Sequence, residues 1–347
     1  MNKLSFPIGS KTIGDGSVLL QSMGDRKTTE VDFLIEETNL LARMGMDMMR
    51  FSVLDDDDVL ALKKIKEHVA IPVIADIHFN AHYAIEAMEN GIDKIRINPG
   101  NIGGPARLRE VISVAKRLSV PIRIGVNSGS LMAYKGKGKD ELEDYFLAMD
   151  DTLSLFREMS FDHLVLSLKS SSPERTRKLY EIASKRYPYP LHIGLTESGF
   201  GVMGATNSAV ALFPLLKEGI GDTLRVSLSD ERKEELRVCK TLLRLSGRRK
   251  DLPTLVVCPT CGRTLVDVKD LARDVCDLLD FVFKDIKVAV MGCPVNGVGE
   301  AKDADIGIAG SGKKDVYLLF SHGKSLGLHE KKEAFDLLKK YIEDFRR

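Results

Sequence analysis

From Val18 to Leu245, short apolar runs alternate with longer stretches whose apolar residues recur every three or four positions. The short runs read as strands and the longer stretches as amphipathic helices. Eight strands are predicted, at Val18–Met23, Met48–Val53, Pro72–Ile77, Lys94–Asn98, Pro121–Asn127, His163–Lys169, Leu191–Thr196 and Thr223–Leu228. A helical pattern follows each, at Val31–Met44, Val59–Val69, Ala81–Glu89, Pro105–Leu118, Glu141–Met159, Pro173–Arg186, Ser208–Glu218 and Lys233–Leu245. Eight strand–helix units are what a (β/α)8 barrel (TIM barrel) of the α/β class requires. A doubly wound open sheet is the alternative, but it opens on a glycine-rich nucleotide turn. Here the first strand runs into Gln21-Ser22-Met23-Gly24-Asp25, without G-x-G-x-x-G.

The alternation breaks at Ser246–Pro253, a polar, basic linker. The chain therefore divides into a barrel domain, 1–247, and a second domain, 253–347. The latter is short and mixed, with strands at Thr254–Val257, Lys287–Met291, Asp305–Ala309 and Val316–Ser321. Helices are predicted at Val266–Phe283 and Lys331–Phe345. This is a small α+β domain.

Charge narrows the function classes. Lys and Arg number 51 and Asp and Glu 50, so no global field favours nucleic acid or an anionic membrane. No apolar run has spanning length, and Met1–Pro7 lacks the apolar core of a signal peptide. A reducing cytoplasm is expected, where thiolates survive to bind metal.

Polar residues cluster where the barrel strands end. Arg50 and Ser52 end strand two, Asp76 and His78 strand three, Arg96 and Asn98 strand four, and Arg123 and Asn127 strand five. Lys169 ends strand six, Glu197 follows strand seven, and Arg225 and Ser227 lie on strand eight. Barrel active sites are built at that face. A single arginine there is ordinarily a rim ion pair. Four arginines and a lysine at one register describe a polyanion site, since guanidinium forks suit phosphate oxygens. Glu197 is either a counter-ion to Lys169 or a proton donor in that pocket.

Three loops read less specifically. In Asn98-Pro99-Gly100-Asn101-Ile102-Gly103-Gly104 the glycines let amides face an anion, as does many a plain βα turn. Asp55–Asp58 reads as a helix N-cap with an acidic first turn, not a metal site. Lys135–Lys139 reads as a mobile loop, either a cover for the pocket or, more in keeping with its composition, a solvated charge run.

Chemistry of another kind stands in the last third. Cys258-Pro259-Thr260-Cys261 is a C-x-x-C turn, and Cys293 follows in Met291-Gly292-Cys293-Pro294-Val295-Asn296-Gly297-Val298-Gly299-Glu300. The remaining cysteines, Cys239 and Cys276, fall in helical apolar patterns and read as buried helix residues. Without a second C-x-x-C, a closed four-cysteine zinc site is poorly supported. Three thiolates on a four-iron cluster leave one iron for another ligand, and Glu300 is the nearest strong candidate. Spacing alone leaves three classes open: an iron–sulfur enzyme, a zinc-ribbon barrel enzyme on another phosphorylated small molecule, and an electron-transfer module.

The chain resembles the 4-hydroxy-3-methylbut-2-enyl diphosphate synthases, iron–sulfur enzymes of the methylerythritol phosphate route to isoprenoids. The similarity spans nearly the whole length. It includes Val73–Phe79, Lys94–Gly103, Ile122–Asn127, Ser167–Ser171, Thr196–Gly199, Glu218–Leu228 and the cysteine motifs. It implies a barrel followed by a ferredoxin-like domain with a 4Fe-4S cluster on Cys258, Cys261, Cys293 and a replaceable Glu300. The implied substrate is 2-C-methyl-D-erythritol 2,4-cyclodiphosphate. Two electrons from reduced ferredoxin or flavodoxin would open its ring and remove a hydroxyl. By match, Arg50, Arg96, Arg123, Asn127, Lys169, Arg225 and Ser227 would hold the diphosphate. His78, Asn98 and Glu197 would complete the pocket, with Glu197 as proton donor. A head-to-tail homodimer is also implied. Two departures stand out: Val298 replaces the usual proline between Gly297 and Gly299, and the short linker replaces the large insertion of plant-like members. The compact bacterial form is expected.

Overall fold

Eight parallel strands form the larger of two units, in the order β8-β7-β6-β5-β4-β3-β10-β9. They are β3 (Leu19–Met23), β4 (Met48–Val53), β5 (Val73–Ile77), β6 (Lys94–Ile97), β7 (Ile122–Asn127), β8 (Leu164–Lys169), β9 (His192–Ile193) and β10 (Thr223–Leu224). A parallel bridge between Leu166 and Leu191 joins the two ends of that order and closes the ring. The computed structural model describes residues 3–127, 131, 134–295, 299 and 301–346. Its two compact units are Met1–Arg248 and Arg249–Arg347.

The helices are α1 (Val31–Arg43), α2 (Asp56–His68), α3 (Ala81–Glu89), α4 (Gly104–Leu118), α5 (Glu141–Glu158), α6 (Pro173–Arg186), α7 (Gly201–Lys217) and α8 (Arg232–Leu245). Each buries one stripe, as Leu34, Thr38 and Leu41 do on α1. Several helix starts follow capping chemistry. The Asp55 carboxylate accepts from Asp58 N at 2.9 Å, Asp140 from Glu143 N at 2.8 Å, and Ser172 Oγ from Arg175 N at 3.3 Å. The four-aspartate run is thus a cap and an acidic first turn. The Lys135–Lys139 segment differs from the expected mobile run, because Gly136 and Gly138 donate to the Asp144 carboxylate at 2.8 and 2.7 Å.

Three further differences have physical causes. Strands seven and eight are shorter than the pattern suggests, because side chains replace the ladder beyond Arg225. There Leu228 N donates to Glu235 Oε1 at 3.0 Å, and the Ser198 hydroxyl donates to the Ser227 carbonyl. Helix α7 begins seven residues earlier than Ser208, at Gly201. Its first turns are glycine-rich: a Cβ at Gly204 would stand 2.7 Å from the Gly199 carbonyl. The N-terminal hairpin, β1 (Phe6–Ile8) with β2 (Lys11–Ile13), has no counterpart in the sequence reading. Its Phe6, Ile8 and Ile13 pack on Leu19, Met48, Ile74 and Val165 and seal the barrel at the N-terminal end of its strands.

The second unit is a five-stranded mixed sheet in sequential order, β11 (Thr254–Val257), β12 (Lys287–Met291), β13 (Ile306–Gly310), β14 (Val316–Ser321) and β15 (Lys324–Glu330). The first three strands are parallel and the last two antiparallel. Strand β15 was not anticipated; its alternating, largely exposed residues carry little apolar signal. Helices α9 (Val268–Leu279) and α10 (Lys331–Asp344) supply Leu271, Val275, Leu338 and Ile342 to the core. Cys239 is buried on α8, whereas Cys276 on α9 is only half-buried, at the edge of the stripe formed by Leu271, Val275 and Leu279.

Candidate active site at the barrel mouth

Strand register sets the site. Ser52 pairs with Asp76, Asp76 with Arg96, and Arg96 with Arg123 on successive strands, so charged side chains share one level. Alternation turns them inward. They line a cavity of about 280 Å³ with Met23, Arg50, His78, Gly125, Ser167, Lys169, Thr196, Glu197, Arg225 and Ser227.

Two buried carboxylates organise these cations. Asp76 Oδ1 accepts from Arg96 Nη1 at 3.0 Å, while its Oδ2 lies 3.5 Å from Arg50 Nε and 3.5 Å from His78 Nε2. Burial alone would raise the Asp76 carboxyl, but Arg50, the His78 hydrogen bond and Arg96 overcome it and hold it well below the usual carboxylate range. His78 Nε2 also stands 3.0 Å from Arg96 Nη1. The second carboxylate is Glu235 on α8. It accepts from Ser22 Oγ at 2.6 Å and Arg232 Nη1 at 2.6 Å, and lies 3.7 Å from Arg225 Nη2.

Among the described residues, the other cations have no such ion pair. Arg123 is 3% exposed, and its Nε and Nη1 are buried without a hydrogen-bond partner. Lys169 has no ion pair among the described residues, and burial followed by Arg123 and Arg225 pushes its amine well below the lysine range. Glu197 lines the cavity, exposed, on a left-handed backbone of φ 53°. Such a conformation costs a non-glycine residue about 1 kcal/mol or more and recurs at functional sites. It too has no ion pair among the described residues, so it is not the counter-ion of Lys169. Buried positive charge short of counter-ions binds anions.

Most of the residues singled out in the sequence therefore meet in one cavity: Arg50, His78, Arg96, Arg123, Lys169, Glu197, Arg225 and Ser227. Asn98 does not line it. Its side chain accepts from Gly100 N at 3.3 Å and caps a 3-10 turn, Pro99–Asn101, before α4. Asn127 ends β7, and its side chain lies outside the described residues, as do Val298 and Glu300. Sequence reading missed Met23, Ser167 and Glu235. Strand alternation with Lys169 identifies Ser167, but nothing local distinguishes Glu235 from a solvated helix-start acid.

In the second unit, the cysteine loops leave neighbouring parallel strands. Cys258 follows β11 and Cys293 follows β12, with Val257 paired to Val290. Cys258 N donates to the Val290 carbonyl at 2.9 Å, and Leu265 N to the Gly292 carbonyl at 2.8 Å, stitching the loops together. A Cβ at Gly292 would stand 3.1 Å from Thr264 Oγ1, so glycine permits this approach. Cys258 and Cys293 are buried and Cys261 is exposed. Soft sulfur donors on abutting loops fit an iron–sulfur cluster or zinc.

Two family models match the chain: the GcpE TIM-barrel domain over residues 5–240 and the GcpE protein C-terminal domain over residues 254–344. The chain belongs to the GcpE family. Several GcpE relatives are named 4-hydroxy-3-methylbut-2-en-1-yl diphosphate synthase (flavodoxin). The one from Ruminiclostridium cellulolyticum is 44% identical over 90% of this chain and 88% of its own. That of Caldanaerobacter subterraneus subsp. tengcongensis is 42% identical over 99% and 98%, and that of Clostridium perfringens 42% over 95% and 95%. Among solved structures, Yersinia pestis dihydropteroate synthase is a distant likeness, with a TM-score of 0.49 and 11% identity over 70% of this chain and 98% of that one.

Proposed function

We propose that this GcpE chain is a 4-hydroxy-3-methylbut-2-enyl diphosphate synthase. It converts 2-C-methyl-D-erythritol 2,4-cyclodiphosphate to the open-chain diphosphate by reductive ring opening and dehydroxylation. The observation that carries this is the cation-rich cavity, with Arg50, Arg96, Arg123, Lys169 and Arg225 around one blind mouth. The diphosphate stays on the product, so these residues bind and orient; they are not phosphoryl-transfer catalysts. Asp76 and Glu235 hold Arg50, Arg96 and Arg225 in place before substrate arrives. Arg123 and Lys169 have free capacity for phosphate oxygens, and Ser227 adds a hydroxyl at the rim. Glu197, presented on its left-handed turn, delivers the proton to the departing hydroxyl.

Cys258, Cys261, Cys293 and Glu300 would hold a 4Fe-4S cluster, which supplies two electrons to the bound substrate. The donor is reduced flavodoxin or ferredoxin, in keeping with the name of the relatives. Active sites are shared in a head-to-tail homodimer. Mixing a barrel-dead chain (Arg123→Ala with Lys169→Ala) with a cluster-dead chain (Cys293→Ser) should then restore activity through heterodimers.

Anaerobic purification with metal analysis and a turnover assay tests the whole reading. Brown protein with about four irons per chain, forming the open-chain diphosphate from the cyclodiphosphate under reduction, is expected. A colourless zinc protein, or an iron protein without product, would defeat it.

A further inference from the structure

Beneath the cavity lies a buried polar layer that the reaction outlined above does not use. Lys94 stands two residues before Arg96 on β6, on the same inward face, and is 0% exposed. Its amine has one hydrogen-bond partner among the described residues, the Met48 sulfur at 3.5 Å. That is a weak acceptor for an ammonium. Met48 belongs to the apolar plug at the barrel base, so Lys94 sits between plug and pocket.

Among the described residues, no side chain around Lys94 supplies a free negative charge. Arg50 on β4 and Arg123 on β7 act on it as cations. His192 on β9 is fully buried, with Nδ1 on Thr223 Oγ1 at 2.8 Å and Nε2 without a partner. Gln21 on β3 is 1% exposed, and neither of its amide atoms has a hydrogen-bond partner. Asp76 on β5 is already engaged by Arg50 and Arg96. Lys169 on β8 acts as a further cation on His192.

We propose that Lys94 is a proton-coupled positioning residue of the anion site. The amine holds a proton less readily when no anion is bound and takes one up from solvent when an anion occupies the arginines above it. This rests on the anion-pocket reading. Burial first, then Arg123 and Arg50, press the Lys94 amine well below the lysine range. A dianion against those arginines cancels the second cause and makes the ammonium affordable. Charging Lys94 more fully in the occupied state then adds positive charge to the floor where it strengthens anion binding.

Sulfate is the probe, because it carries no titrating proton near neutrality and any uptake belongs to the protein. Calorimetry of sulfate binding to the full chain is run at one pH in two buffers of different ionisation enthalpy. Wild type should take up protons, and Lys94→Met should take up fewer, by up to about one per sulfate. Wild-type affinity should fall with rising pH, by up to about tenfold per unit for each proton linked. Lys94→Met should show a shallower slope, and Lys94→Arg should keep its affinity at high pH. Equal uptake in wild type and Lys94→Met would overturn the proposal. Should Lys94→Met fail to fold, Lys94→Gln replaces it. Should that also fail, a wild-type pH slope abolished by Lys169→Met alone assigns the proton to Lys169 and overturns the proposal, and a slope that survives supports it. Absence of sulfate binding counts against the anion pocket itself, and the proposal falls with it.

Discussion

The Lys169 amine lies directly over Gly194: a Cβ at that glycine would stand 2.7 Å from Nζ and 2.8 Å from the Arg225 carbonyl. One backbone position thus sets the placement of two basic residues. Gly194→Ala should displace Lys169 and spread β9 from the segment carrying Arg225. Overpacking of this kind costs about 1–3 kcal/mol of stability. Sulfate affinity should fall about tenfold, or about 1.4 kcal/mol. Unchanged affinity and melting temperature would show that Lys169 is not held by this contact.

Arg123→Ala removes a cation whose buried nitrogens await an acceptor. Binding of the cyclic diphosphate should weaken by about 1.5–3 kcal/mol, as for hydrogen bonds to charged groups. The absorption spectrum of the anaerobically purified protein should not change. An unaltered binding constant would move the substrate away from β7.

Asp76→Asn tests the organiser. Breaking a buried ion pair from one side typically costs about 3–5 kcal/mol. Urea unfolding at neutral pH should therefore show a large loss, since Arg50 and Arg96 would face each other uncompensated. A loss no larger than that of an exposed carboxylate would mean the arginines are held by other contacts.

Stability without bound anion should rise as the solution turns alkaline. Lys94 and Lys169 are both held well below 10.5 in the folded chain. Between their folded values and 10.5 the unfolded chain binds protons that the folded chain does not, so raising pH favours folding. Melting temperature against pH should climb on the alkaline side of neutrality, and Lys94→Met should flatten the rise. A maximum at neutral pH followed by a steady fall would contradict this.

The metal loops allow a contrast of variants. Replacing Cys258, Cys261 or Cys293 by Ser should abolish iron retention, whereas Glu300→Ala should retain iron and lose most turnover. Iron content beside activity separates the two outcomes. Normal turnover by Glu300→Ala with full iron would make Glu300 a loop residue only.

Much of the barrel and its mouth can be read from the chain. Inward positions such as Arg50, Arg96 and Arg123 interrupt otherwise largely apolar strands, where strand period and barrel geometry leave little choice. What escaped depends on contacts distant in sequence. Glu235 looks like any acidic residue in a first helical turn until Ser22, 213 positions away, meets its carboxylate. Lys94 looks like a rim charge, and only ring closure shows it to be fully buried. Asn98 reads two ways from sequence, because a short polar side chain before Pro-Gly can face a ligand or cap its own turn. In the fold its side-chain oxygen accepts from the Gly100 amide.

The N-terminal hairpin makes the barrel a well with one doorway. Phe6, Ile8 and Ile13 close its base, so whatever enters at the carboxyl ends of the strands must leave the same way. Product that keeps its diphosphate leaves against the pull of the cations that drew substrate in, and no second substrate can enter until it has gone. Accumulated product should therefore inhibit competitively against substrate, and salt, by screening those cations, should speed its exit even as it weakens capture.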